Sequence, residues 1–128
     1  MTTVLIVDDS PTALRLTTEL VASEGLKIIT ATDGLEAVAR AQACQPEIVI
    51  LDIILPKQNG YEVCRQLRQD PRTAATRILM LTSKGLDEER LWGLQQGADQ
   101  YFTKPYSADE LRQTLRHWTA ETTSRTGS

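Results

Sequence analysis

Five times along 128 residues, a short apolar run gives way to a segment whose apolar residues recur at helical spacing. That repeated change of period leaves few folds open. Val4–Asp8 (VLIVD) is β-branched and continuous, which predicts a strand buried on both faces. Ser10-Pro11 then offers an N-cap and an N1 proline, predicting a helix to about Glu24 that Gly25 ends. Its Leu14, Leu16, Leu20 and Val21 are expected largely on one inward side.

The pattern continues in the same form. Leu26–Thr32 reads as the second strand, and Asp33-Gly34 turns into a helix carrying Leu35, Ala37, Val38 and Ala41 that stops before Pro46. Glu47–Asp52 is the most apolar strand, followed by the turn residues of LPKQNG and a helix over Tyr61–Gln69 with Val63, Cys64 and Leu67 inward. Arg77–Thr82 is the fourth strand, Asp87–Gln96 a helix and Asp99–Thr103 the fifth strand. Ser107–Trp118 is the last helix, opened by a Ser107/Glu110 capping box. Regular strand–helix alternation implies one α/β domain over residues 1–118, a doubly wound parallel sheet with helices on both faces. The polar tail 119–128 (TAETTSRTGS) is expected to be disordered.

Composition narrows the function. A net charge of −3 without a basic stripe argues against direct nucleic-acid binding. No apolar stretch is long enough to cross a bilayer, and MTTVLIVDDS lacks the flank and cleavage site of a secretory signal. Cys44 and Cys64 form no CxxC pair and have no histidine nearby, so they read as reduced thiols of a cytoplasmic protein.

In open parallel sheets, ligands bind beyond the carboxyl ends of the strands. Asp8 and Asp9 end the first strand, Asp52 the third, Thr82-Ser83 the fourth and Lys104 the fifth. Alone, each has an ordinary explanation: helix-start acids, a loop residue, a cap, a solvated charge. Together, three carboxylates at one mouth repel one another unless a cation joins them. Mg²⁺ suits such oxygen ligands and often takes a phosphate oxygen as well. An Asp52 kept ionised in this way can attack phosphorus. Lys104 can pair with Asp52 first and with phosphoryl oxygens later, and the Thr82 hydroxyl can donate to the same group.

These residues carry a family resemblance. The chain resembles the receiver domain of bacterial two-component response regulators over about residues 3–118, through DD at Asp8-Asp9, LD in IVILDIILPKQNG, LTS at Leu81–Ser83 and KP at Lys104-Pro105. The intervals agree too: 43 residues from Asp9 to Asp52, 30 on to Thr82 and 22 on to Lys104. The resemblance implies a flavodoxin-like (βα)5 fold with strand order 2-1-3-4-5. It implies that Asp52 accepts a phosphoryl group from a phosphohistidine on a sensor histidine kinase or phosphotransfer protein. Mg²⁺ would be held by Asp9, Asp52 and the backbone carbonyl of Ile54, with Asp8 on a metal-bound water and a cis bond at Lys104-Pro105.

The same resemblance implies a readout. Thr82 moves toward the phosphoryl group, Tyr101 turns inward, and the face made by the fourth helix, fifth strand and last helix changes shape to bind a downstream protein. Tyr106, expected on that exposed face, and Trp92, either core or partner contact, complete the output residues. Ile54 and Lys84 occupy positions that tune phosphoryl lifetime in the family. The chain is expected to be a stand-alone switch and a monomer or weak phosphorylation-dependent dimer. It would act as a phosphoacceptor with slow self-dephosphorylation rather than as a dedicated enzyme. Its sequence looks most like small regulators of type IV pilus, twitching or phototactic motility.

Other readings fit less well. A phosphate sink or relay intermediate would use the same site. An aspartyl-phosphate phosphohydrolase of the haloacid dehalogenase type carries a second aspartate two residues after the first, where this chain has Ile54. An FMN binder would have a Ser/Thr/Gly-rich first loop in place of DDSPTA, and no GxxxxGK[ST] is present. His117, the single histidine, reads as a solvated residue near a helix end.

Overall fold

Strand β1 (Thr3–Val7) is buried from Val4 onward because it lies between two neighbours. Those neighbours are β2 (Lys27–Ala31) and β3 (Ile48–Asp52), both parallel to it. The computed structural model describes residues 2–82 and 96–127, with side chains through residue 121. Beyond β3 lie β4 (Arg77–Thr82) and β5 (Gln100–Thr103), giving the order 2-1-3-4-5 throughout a parallel sheet. The flavodoxin-like architecture expected from the sequence is the one present.

Helices α1 (Pro11–Ala22), α2 (Gly34–Cys44), α3 (Gly60–Gln69) and α4 (Ala108–Gly127) start where capping chemistry directs them. Ser10 Oγ accepts from the Ala13 N–H, Asp33 Oδ1 from Glu36, Asn59 Oδ1 from Glu62 and Ser107 Oγ from Glu110. Gly25, at φ 76°, follows α1 in the conformation that favours glycine. Strand alternation divides the core in two. Leu5, Val7, Val49, Leu51, Ile78 and Met80 pack with Val63, Cys64 and Leu67 of α3. Val4, Ile6, Ile48, Ile50, Leu79 and Leu81 pack with Val21 of α1 and Leu111, Leu115 and Trp118 of α4. Burying these aliphatic side chains stabilises the fold by roughly 1.5–3 kcal/mol each before entropy is counted.

Two expectations need correction. In α1 the buried residues are Thr17 and Val21, whereas Leu16 is 60% exposed. A helix turns 100° per residue, and the Thr17–Val21 line meets the sheet while Leu16 rotates off it. The last helix does not end at Trp118: α4 runs to Gly127. No helix breaker stands before Gly127, and Glu121 joins the helix to the sheet through Arg77 at 2.7 Å while receiving His117 Nε2 at 3.0 Å. His117 thus has a partner as well as solvent. On α2, Leu35 is 52% exposed, and Ala37 and Ala41 take buried positions. The helix predicted over Asp87–Gln96 falls, but for its last residue, outside the described residues, as do Ser83, Lys84 and Trp92.

The two thiols differ in kind. Cys44 is exposed, whereas Cys64 is fully buried and its pKa is pushed up to about 11 by that burial. A thiol-alkylating reagent at neutral pH is therefore expected to modify Cys44 in minutes and to leave Cys64 intact until denaturant is added. Peptide mapping of the native protein checks this; early alkylation of Cys64 would contradict the packing described.

Candidate functional site

The carboxyl ends of β1, β3, β4 and β5 meet at one edge, where the chain order reverses between β1 and β3. Asp8 follows β1 and is 3% exposed, and Asp52 ends β3 at 8% exposed. Asp9, beside Asp8, faces solvent. One carboxylate oxygen from each of the three lies within 4.8 Å of the others. Lys104, just past β5, reaches into this group: its Nζ is 2.9 Å from Asp8 Oδ2 and 3.3 Å from Asp52 Oδ2. Thr82 is buried at the end of β4, and its carbonyl accepts the Lys104 N–H at 2.6 Å.

Two buried acids near one ammonium leave a charge imbalance. Burial raises the Asp52 pKa above the ordinary aspartate range; Lys104 works against that, and the Asp8 charge adds to the rise. Burial draws the Lys104 pKa down, but the hydrogen bond to Asp8 and the charges of Asp52 and Asp8 outweigh it, and the net shift is upward. Both partners thus hold their protons more tightly. The shared lysine sits closer to Asp8, so Asp52 receives less of its field. A further cation at this mouth would relieve the imbalance. All-oxygen, partly solvated donors of this kind suit a small hard divalent ion.

The loop after β3 is held from two sides. Ile54 N–H donates weakly to Asp52 Oδ1 at 3.4 Å, and the Ile54 side chain is 53% exposed beside the site. The Gly60 N–H donates to the Ile53 carbonyl at 2.8 Å, closing the loop at the start of α3. On the far side, the Gly34 N–H donates to the Pro56 carbonyl at 3.1 Å, and Lys57 Nζ lies 3.5 Å from Asp33 Oδ2. The Lys104-Pro105 peptide is cis, as the family resemblance implies.

Tyr101 and Tyr106, expected to carry the output, differ in burial. Tyr101 is buried, 5% exposed, and packs in the α2–α3 half of the core, so its ring is already inward. Tyr106 shares with it one hollow beside β5 and α4. It is half-buried in the other half of the core and its hydroxyl lies 2.8 Å from Thr17 Oγ1 of α1. The two tyrosines pack into different halves of the core, since Tyr101 belongs to β5 whereas Tyr106 follows the cis bond and lies against α1.

Sequence reasoning missed Thr17, which reads locally as a helix interior residue, and Arg68, a routine helix-surface cation. Arg68 donates to the carbonyls of Gly97, Ala74 and Thr76 and to Asp99 Oδ2. Asp99 also accepts from Arg77 and from the Ile78 N–H. This network closes the edge of the sheet opposite the acidic cluster. The spacing of acids and carbonyls in the sequence carries no signal for it.

A parallel sheet of this order, with buried acids and a lysine at its point of reversal, defines a phosphate- or metal-handling class rather than a nucleotide fold with a glycine-rich loop. The chain belongs to the response regulator receiver domain family, whose family model matches residues 4–116. It is 36% identical over 115 residues to protein PilH of Pseudomonas aeruginosa, covering 90% of this chain and 95% of that protein. It is 38% identical over 116 residues to the DNA-binding dual master transcriptional regulator RpaA of Synechocystis, covering 91% of this chain and 48% of that protein. The chemotaxis response regulator CheY4 of Vibrio cholerae superposes with a TM-score of 0.85 at 32% identity, over 92% of this chain and 98% of that one. The receiver domain of sensor histidine kinase PA1611 from Pseudomonas aeruginosa, with a magnesium ion coordinated in its active-site cleft, superposes with a TM-score of 0.85 at 28% identity, over 91% and 96%. None of the described helices is long and apolar enough to cross a membrane.

Proposed function

We propose that this protein is a phosphorylation switch in which Asp52 accepts a phosphoryl group from a phosphohistidine on a sensor kinase or phosphotransfer protein. The observation that carries the reading is the single lysine bridging Asp8 and Asp52 beside a third carboxylate. Asp8, Asp9 and Asp52, with the Ile54 carbonyl, would hold Mg²⁺, which supplies charge neutralisation to the acids and to the incoming phosphoryl group. An Asp52 carboxylate oxygen attacks phosphorus; an O–P bond forms as the P–N bond to the imidazole breaks, and the imidazole leaves with the electron pair. Lys104 shifts its hydrogen bond from Asp52 to a phosphoryl oxygen, and the Thr82 hydroxyl donates to another. Similarity to PilH over nearly the whole of both chains supports an output in type IV pilus motility. The message would pass through a protein contact on the face that includes β5 and α4.

Incubation with Mg²⁺ and acetyl phosphate, followed by intact-mass and peptide analysis, tests the reading. One phosphoryl group on Asp52 is expected, with none on an Asp52→Asn variant. Uptake elsewhere, or none under excess donor, would remove it.

Ile54 bears on how long the group stays. Its branched apolar side chain stands at the mouth, where water must approach in line to hydrolyse an acyl phosphate. Ile54→Asn is expected to shorten the phosphoryl half-life severalfold, because a polar amide can hold a water that Ile54 excludes. Decay as slow as in the parent would contradict this.

A further inference from the structure

Two pieces of backbone carry the reacting groups, and they reach the site from opposite ends of the sequence. The first is Asp8-Asp9, fixed at the start of α1 by the Ser10 cap and by the Ser10 N–H donating to Asp8 Oδ1 at 2.9 Å. The second is the segment after β5, where Lys104 precedes the cis bond to Pro105 and then Tyr106. The relative position of these pieces sets whether the Lys104 ammonium falls between Asp8 and Asp52.

A side-chain hydrogen bond joins the two pieces outside the acidic cluster. Thr17, 3% exposed on the inward line of α1, meets the Tyr106 hydroxyl at 2.8 Å across 89 residues of sequence. On the outer side the segment has little support. A hollow of about 360 Å³, lined by Ala13, Leu16 and Leu20 of α1 and by Pro105 and Tyr106, lies against it. With this hollow, which Thr17 and Lys104 also line, beside the segment, the Tyr106 hydroxyl is a directional tie to α1. Leaving a buried threonine oxygen without a partner costs free energy, so the bond resists opening.

We propose that Thr17 and Tyr106 are positioning residues, a latch that fixes the Lys104 segment against α1 and so holds the lysine in reach of Asp8 and Asp52. Neither residue touches the reacting atoms. Their effect on Asp52 chemistry rests on the function proposed above; their effect on Lys104 does not.

Two measurements on the full chain separate these claims. The first needs no phosphate. Parent, Tyr106→Phe and Thr17→Val proteins are treated with a water-soluble succinimidyl ester, and acylation is located by peptide mapping. Lys104 labelling is expected to accelerate about fivefold or more in both variants as the ammonium loosens from its carboxylates. Lys27 and Lys57, which touch neither residue, serve as internal controls and should label as in the parent. Unchanged Lys104 labelling, or equal acceleration at all three lysines, overturns the latch.

The second measurement is the initial rate of Asp52 phosphorylation by acetyl phosphate at saturating Mg²⁺. Each variant is expected to slow it roughly tenfold, the scale set by a displaced catalytic group. The double variant should be no slower than either single one, and Thr17→Ser should retain the parent rate. Mg²⁺ affinity by calorimetry should stay within about twofold, since all three carboxylates remain. Rates equal to the parent, or effects that multiply in the double variant, overturn the proposal. Should Thr17→Val fail to fold, Tyr106→Phe, which removes one oxygen and keeps the ring, decides alone. A parent that takes up no phosphate defeats the proposed function, while the labelling result still decides the latch.

Discussion

Replacing Asp52 by asparagine is expected to abolish phosphoryl uptake and, without Mg²⁺, to leave the protein more stable than the parent. The asparagine keeps the shape and the hydrogen-bonding capacity toward Lys104 and Ile54, and it removes one of two buried negative charges. Burial first, and the Asp8 charge with it, raise the Asp52 pKa in the folded chain despite Lys104. Below the unfolded-state pKa of an aspartate, both states are protonated and the group has no effect on stability. As pH rises from there toward the folded value, the unfolded chain ionises first and stability is lost; above the folded value the loss is complete. The gain from Asp52→Asn should therefore be absent in strong acid and reach its full size at neutral pH. In thermal denaturation the gain reads as a raised Tm. Added Mg²⁺ should stabilise the parent more than the variant and narrow or reverse the gap. Thermal denaturation at several pH values, with and without the metal, measures all of this. A parent more stable than Asp52→Asn in EDTA would mean that Asp52 is well compensated by Lys104.

Gly60→Val is expected to be strongly damaging although the residue carries no functional group. A Cβ at Gly60 would lie 2.7 Å from the Asp52 carbonyl oxygen and 2.8 Å from Ile53 Cα. Both obstacles are backbone at the end of a buried strand, so neither can rotate aside. Relief requires the α3 start to move away, which would break the Gly60–Ile53 hydrogen bond and open the loop carrying Ile54. The cost is about 3 kcal/mol or more by analogy with overpacked cores. Gly25 provides the contrast. It has a positive φ but open space around its would-be Cβ, so Gly25→Ala should cost only about 1 kcal/mol. Denaturant titration ranks the two, and Mg²⁺ binding should weaken in Gly60→Val alone. Equal stabilities would show that the loop gives way more easily than its contacts imply.

The difference between these glycines also shows what the sequence could and could not disclose. Val4–Asp8 and Glu47–Asp52 announced central strands because burial on both faces forces a continuous apolar run, and every residue from Ile48 to Asp52 is buried. Arg77–Thr82 matched to the residue. Asp8, Asp52 and Lys104 were legible because a chain rarely ends several buried strands in charges. What stayed hidden depends on which side chains meet across the fold. Thr17 replaces Leu16 as the inward residue because helix phase over a single turn is ambiguous when leucine, threonine and alanine alternate. Tyr106 and Arg68 take partners through backbone paths that no local period encodes. The helix beyond Trp118 was misread because Thr and Ser have weak helical preference, whereas Glu121 acts through a contact with a distant strand.

The strand order has a consequence for how the chain assembles. Val4–Val7 can pair with Lys27–Ala31 once a short stretch has been made, but its other edge waits for Ile48–Leu51. The acids of the first and third strands are therefore expected to come together only after the loop between them has closed. Their mutual repulsion belongs to the finished molecule and not to the barrier. In stopped-flow refolding without metal, neutralising Asp52 should slow unfolding and leave the refolding limb almost untouched.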